Sequence, residues 1–158
     1  MADVLINEIH PSPLDGFEWV ELFNNSNESI SVSRIKLYDQ TSKALKINKD
    51  VLSPYTYAIA TASAVLNNSG DTILLEKDGT IMETITYGAI ESGKSYARCD
   101  NIWIENVVAT YGSSNLCEEN TLPTGQPSRT PTSTPSTPVQ PFISSPLVTI
   151  APTRKITQ

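Results

Sequence analysis

Apolar and polar positions alternate in short runs through the first three-quarters of the chain, separated about every ten residues by Gly, Pro, Asn, Asp and Ser. A period near two, punctuated at that spacing, predicts the strands of a sandwich or barrel rather than helices. Residues 4–9 open as a strand that Pro11 and Pro13 stop. In residues 17–23, Phe17, Trp19 and Phe23 fall on one face and Val20 and Leu22 on the other, so both faces are covered and the strand is expected to be central. Asn24-Asn25-Ser26-Asn27 turns the chain. The alternation of Ile30, Val32, Ile35 and Leu37 slips parity at Ser33-Arg34, which predicts a bulge or a break between two short strands. A weak strand at 44–47 and a stronger one at 55–61 follow, the latter entered through Ser53-Pro54. Asn67-Asn68-Ser69-Gly70-Asp71 reads as a turn in which Asp71 accepts backbone hydrogen bonds. Lys77-Asp78-Gly79-Thr80 is a hairpin turn, because Asp-Gly supplies the positive φ it needs. The returning strand, 80–87, puts Ile81, Glu83, Ile85 and Tyr87 on one face. No helical period persists and no repeat of twenty to fifty residues is visible.

The composition changes sharply after residue 119. Residues 120–158 hold 8 Pro, 9 Thr and 5 Ser among 39 and no Asp or Glu, too little apolar surface to offset the entropy of ordering. The expectation is an all-β domain at 3–119 and a disordered, extended Pro/Ser/Thr-rich linker or stalk at 120–158, the organisation of a displayed module. Seventeen acids against eight lysines and arginines give residues 1–119 a charge of −9, which repels phosphate backbones and anionic lipid heads. Nucleic acid is therefore not the expected partner. No apolar run approaches a transmembrane span, and the first residues lack the basic and apolar segments of a signal peptide. Either the protein is cytoplasmic, or these residues are a piece of an exported one whose signal and anchor lie elsewhere; the stalk favours the second.

The chemistry-bearing residues are sparse. Cys99 and Cys117 enclose 17 residues. A disulfide across such a loop would contribute roughly 3 kcal/mol and imply an oxidising compartment. Two separate thiols are the alternative; the intervening segment's need for pinning and the stalk favour the bridge. Two cysteines eighteen positions apart and one distant histidine do not make a metal site, and no Asp-X-Asp-X-Asp-Gly loop offers one for calcium. His10, the lone histidine, ends a strand beside Pro11 with no nucleophile elbow nearby; it is expected to face solvent, and no residue is expected to be catalytic. The acidic pairs Glu18/Glu21 and Asp15/Glu18 suggest acid–base chemistry or calcium, but Glu18 and Glu21 lie on opposite faces of one strand, which separates their carboxylates. Asn24, Asn27 and Asn67 start Asn-X-Ser sequons that mark surface loops; the Thr/Ser/Pro stalk is the better candidate for glycosylation. Ile102-Trp103-Ile104 is expected to anchor the last strand, or to form a ligand patch if exposed. No cofactor is implied.

Several stretches, in order, resemble the lamin tail domain family of bacterial exported proteins. They are Ile6-Asn7-Glu8-Ile9, Glu18-Trp19-Val20-Glu21-Leu22-Phe23-Asn24, and the run from Val32 through Leu37-Tyr38-Asp39. Leu66-Asn67-Asn68-Ser69-Gly70-Asp71, Asp78-Gly79, Tyr87-Gly88 and Ser95-Tyr96-Ala97-Arg98 follow, so the resemblance spans about residues 4–115. It implies an immunoglobulin-like β-sandwich without enzymatic activity, serving to bind or tether. In animals such domains sit in nuclear lamins and contact proteins and DNA; in bacteria they accompany surface proteins and secreted or membrane-bound hydrolases. This chain departs from the family at Arg34-Ile35, where Gly-Trp is common. It departs again at Thr110-Tyr111-Gly112 with Asn115, where the family closes with Thr-Pro-Gly and an Asn; the missing Pro is expected to loosen the closing turn.

The reading is a non-catalytic binding or tethering module of an exported or cell-surface protein, with a protein or glycan partner and the ligand-binding residues undefined. An intracellular scaffold that binds protein or nucleic acid is one alternative, and an accessory domain for an absent hydrolase is another.

Overall fold

Eleven strands and one 3-10 turn account for the alternating segments of the computed structural model, which describes residues 3–117. They are β1 (Val4–His10), β2 (Glu18–Asn24), β3 (Ile30–Ser31), β4 (Ile35–Asp39), β5 (Lys46–Ile47), β6 (Val51–Leu52), β7 (Tyr57–Ala62), β8 (Asp71–Lys77), β9 (Thr80–Tyr87), β10 (Lys94–Cys99) and β11 (Ile102–Val108). Every pairing is antiparallel. One sheet runs β11-β10-β1-β2-β7-β5, a second runs β4-β8-β9, and β3 pairs β6. The result is an immunoglobulin-like sandwich, all-β as the alternation predicted. The Pro/Ser/Thr-rich stretch at 120–158 lies outside the described residues.

The core forms because alternate residues of both sheets face inward. Val4, Ile6, Ile9, Val20, Leu22, Ala58 and Ala60 meet Ile35, Leu37, Ile73, Leu75 and Tyr87, all 5 % exposed or less. Strand β2 is central as expected, held between β1 and β7. The parity slip at Ser33-Arg34 is a break filled by the 3-10 turn Val32–Arg34. The β8–β9 hairpin turns on Asp78 (φ 51°) and Gly79 (φ 80°), the two positive-φ positions foreseen. Its partner strand differs from the simple alternation. Leu75 pairs with Glu83 but Glu76 pairs with Ile81, so Met82 is an extra residue. Glu83, Ile85 and Tyr87 turn inward, whereas Ile81 is 44 % exposed.

Bulges also rewire the larger sheet. Ile6 pairs with Leu22 and Glu8 with Glu21, leaving Asn7 as the extra residue of β1. Its pairing with β10 runs through Glu8–Ala97 and Ile9–Tyr96 and reaches no further along β1. The Ile6 N–H instead donates to Glu83 Oε2 (2.8 Å), and its carbonyl accepts from Arg98 Nε (2.8 Å). Arg98 also pairs with Glu83 through its guanidinium and lies 4.8 Å over the Trp103 ring, which stacks on Tyr96. One arginine thus ties β10 to β1, to β9 of the other sheet and to the last strand. Lysine cannot reproduce this planar fork, so Arg98→Lys should lower stability by about 1 kcal/mol, or roughly 4 °C in melting midpoint. An unchanged midpoint would mean that the flanking strands hold that corner without it.

Candidate functional site

The polar residues of the sequence converge on the outer face of the six-stranded sheet. The bulge at Asn7 reverses parity within β1, sending Ile9 to the core and Glu8 to the outside. One row across four strands is then Ala97, Glu8, Glu21 and Ile59, and all four are buried. The two glutamates have no measurable exposure because the chain after β11 lies over them as a strap, residues 110–117.

The strap is held by these carboxylates. Glu8 accepts from the Thr110 N–H (3.1 Å) and from Thr110 Oγ1 (2.7 Å). Glu21 accepts from the Gly112 N–H (2.6 Å) and from Asn7 Nδ2 (2.8 Å). Asn115 completes the network: its Nδ2 donates to the carbonyls of Asn7 (3.0 Å) and Arg98 (2.7 Å), and its Oδ1 accepts from Thr110 Oγ1 (3.0 Å) and Asn7 Nδ2 (3.2 Å). Tyr111 packs edge-on against Trp19 at 5.4 Å, and the Ser113 N–H closes a turn on the Thr110 carbonyl. The closing turn without proline is therefore pinned, not loose. Beyond it, Cys99 and Cys117 form a disulfide with their Cα atoms 5.5 Å apart.

Burial dominates the electrostatics. It pushes the Glu21 carboxyl up to about 7, against the two donors that favour its ionised form, and neighbouring Glu8 raises it further. His10 overturns the expectation of a solvent-facing residue: it is 5 % exposed, its ring 5.0 Å from Trp19. Its Nδ1 lies 2.8 Å from the Lys94 carbonyl, which can only accept, so the proton sits on Nδ1. Desolvation lowers its pKa, outweighing the carbonyl and Glu8, and keeps the ring neutral. The placement follows from Trp19 and from Lys94 and Ser95 of β10, none of which a strand-end position announces.

Other singled-out residues stand apart from this face. Glu18 points to the opposite side from Glu21, as predicted, and its Oε2 accepts from the Val65 and Leu66 N–H groups (2.9 Å each). Asp71 accepts from Asn67 and from the Thr72 N–H. Gly70 is required beside it, since a Cβ there would lie 2.9 Å from the Tyr87 carbonyl oxygen. Asn24 corrects the reading of its sequon as a surface loop. It is fully buried, donating to the carbonyls of Glu28, Leu52 and Ser53 and accepting from Ser26, which makes it a knot and not an acceptor for sugar. Asn27 and Asn67 are exposed. Trp103 is half-buried against Tyr96, while Ile102 is 61 % exposed.

Sequence reasoning paired Glu21 with Glu18 and missed Glu8. The available signal was an acid inside an apolar run whose both faces are covered, in Trp19-Val20-Glu21-Leu22-Phe23 and again between Ile6 and Ile9. Such an acid needs donors, and Thr110, Gly112 and Asn7 supply them. Chemically the arrangement is a latch: both carboxylates are shielded and spent on donors, most of them from the strap, and the Thr110 hydroxyl beside Glu8 is one of those donors. Among the described residues no group of three or more His, Cys, Asp or Glu could hold a metal, and no helix is long and apolar enough to cross a membrane.

A family model described as the Lamin Tail Domain matches residues 1–89, more than half of the chain, while no curated protein and no solved structure matches it. The match covers the strands that carry Glu8, Glu21, Asn24 and the 67–71 turn, and stops before β10 and the strap. With the sandwich topology and the ordered motifs agreeing, the chain belongs to the lamin tail domain family, whose members are immunoglobulin-like domains and not enzymes.

Proposed function

We propose that this chain is a non-catalytic binding or tethering module of an exported or cell-surface bacterial protein, a domain of residues 3–119 on a Pro/Ser/Thr-rich spacer of residues 120–158. The observation that carries the reading is the Cys99–Cys117 bridge, set at the junction of sandwich and spacer. Disulfides persist in oxidising compartments, and a bridge at this place anchors the strap where a spacer would pull on it. The −9 charge of residues 1–119 weighs against nucleic acid and anionic membrane, leaving a protein or glycan as the partner. The buried acids add support, because groups consumed by the strap are unavailable to a substrate.

Fractionation and protease shaving of intact cells that make the parent protein test this reading. Release of the domain by external protease is the expected result. Protection until the cells are lysed would sink display, and would favour an intracellular scaffold.

A further inference from the structure

We propose that the cleft between the chain around Asn48–Ile59 and the strap is a saccharide-binding subsite that takes a pyranose ring of a glycan. The proposal rests on the reading of the chain as a binding module and names the partner's chemistry. The cleft encloses about 340 Å³ and is lined by Asn48, Lys49, Tyr55, Tyr57, Ile59 and Tyr111. That is the small end of the roughly 300–1,000 Å³ typical of small-molecule sites, with room for about one or two sugar rings. A protein partner would need a far wider patch, about 800 Å² on each side.

Three tyrosines from two segments line the cleft, and the fold braces the rings of Tyr57 and Tyr111 without burying them. Tyr55 and Tyr111 are 61 % and 60 % exposed. Tyr57 leans on Phe23 at 4.9 Å and its hydroxyl meets Ser114 Oγ at 3.1 Å; Tyr111 rests on Trp19. Tyr55 sits at φ 54°, where a bulky side chain is strained and Gly or Asn would not be. Its N–H donates to the Asn24 carbonyl and the Thr56 N–H to the Ser53 carbonyl, so backbone hydrogen bonds fix the turn that presents this exposed ring. Rigid amphipathic rings of this kind give contact area at little entropic cost.

The rim is polar and free of carboxylates. Asn48 is oriented by accepting from the Ile59 N–H (3.1 Å), which directs its donor end away from that bond. Lys49 reaches the Tyr57 carbonyl and keeps further protons to give. Flat apolar faces beside fixed donors complement a pyranose, with its C–H faces and hydroxyl rim. Lys49 is the single charge of this lining, on a domain that is otherwise strongly acidic. Because Tyr111 and Gly112 are strap residues, the site exists only while the latch is closed.

The test titrates the full chain with two probes, the β-1,4-linked trisaccharides of N-acetylglucosamine and of glucose, following tyrosine and tryptophan ring resonances. Saturable shifts at Tyr55, Tyr57 and Tyr111 are expected for at least one probe, with Kd on the order of 1 mM. Tyr55→Asn, which suits the left-handed backbone, should weaken binding at least about tenfold with a melting midpoint no lower than that of the wild type. Absence of saturable shifts up to about twenty times that concentration, or binding unaltered in Tyr55→Asn, overturns the site. A chain shaved from intact cells that binds neither sugar loses this proposal and keeps display. One that binds sugar but is protected inside cells loses display alone.

Discussion

Reducing the Cys99–Cys117 bridge should lower the stability of the domain by about 3 kcal/mol and its melting midpoint by roughly 12 °C. The closed loop holds all of β11, an edge strand paired only with β10, and the whole strap. Once the bridge opens, the strap is held by the hydrogen bonds of Thr110, Gly112 and Asn115, and the unfolded chain regains the entropy of the open loop. Cys99 is 5 % exposed, so a serine there would add a cost of its own by burying a hydroxyl. Melting the wild-type chain with and without reductant, alongside Cys117→Ser, avoids that complication. Both should lose the same stability, and Trp19 fluorescence should change as Tyr111 leaves it. Identical melting in the two redox states would show that the carboxylates close the latch unaided.

The same residues show what was legible in the sequence. The hairpin at Asp78-Gly79 and the turn at 67–71 depend on local chemistry, a positive φ or an Asx acceptor, which neighbouring residues declare. The central place of β2 was readable because apolar residues covered both its faces. Parity was readable only between bulges. At Met82 and Asn7 one extra residue reverses every side chain beyond it, so Ile81 emerges into water and Glu8 meets Glu21. The burial of His10 and Asn24 was hidden for a different reason. Their covers come from Trp19, Ser95 and the chain near Leu52, and such long-range partners leave no trace at the residue itself. The tyrosine cleft combines both difficulties, since Tyr57 and Tyr111 are more than fifty residues apart and Tyr55 adopts a φ that favours other residues.

Between about pH 4.5 and 7 the latch should make the domain more stable as the solution becomes more acid, opposite to the usual behaviour of a carboxylate. Glu21 has an ordinary value of 4.5 and a folded value of about 7, so in that window the folded state holds a proton that the unfolded chain has released. The contribution is fully present below 4.5 and lost as pH rises through 7. The full shift corresponds to about 3 kcal/mol at 1.36 kcal/mol per unit; allowing for partial solvent screening at the strap, about 2 kcal/mol is expected. His10 opposes it, because its lowered pKa leaves the folded ring neutral below the ordinary 6.5, where the unfolded chain has already taken up a proton. Asp3, Asp39, Glu76 and Asp78, all with lowered values, act below the window. The clean measurement is therefore a difference. Urea unfolding of wild type and Glu21→Gln at pH 5, 6, 7 and 8 cancels the shared groups, and the wild type should lose about 2 kcal/mol relative to the variant from the lowest to the highest pH. A difference constant within about 0.5 kcal/mol would mean that Glu21 is ionised throughout, its burial offset by the Gly112 and Asn7 donors. If the slope is seen, the amides of Thr110 and Gly112 should exchange faster at pH 8 than the intrinsic rate increase explains. Ionising Glu21 beside Glu8 places two carboxylates in one dry row, and the strap is the element that can move to let water in.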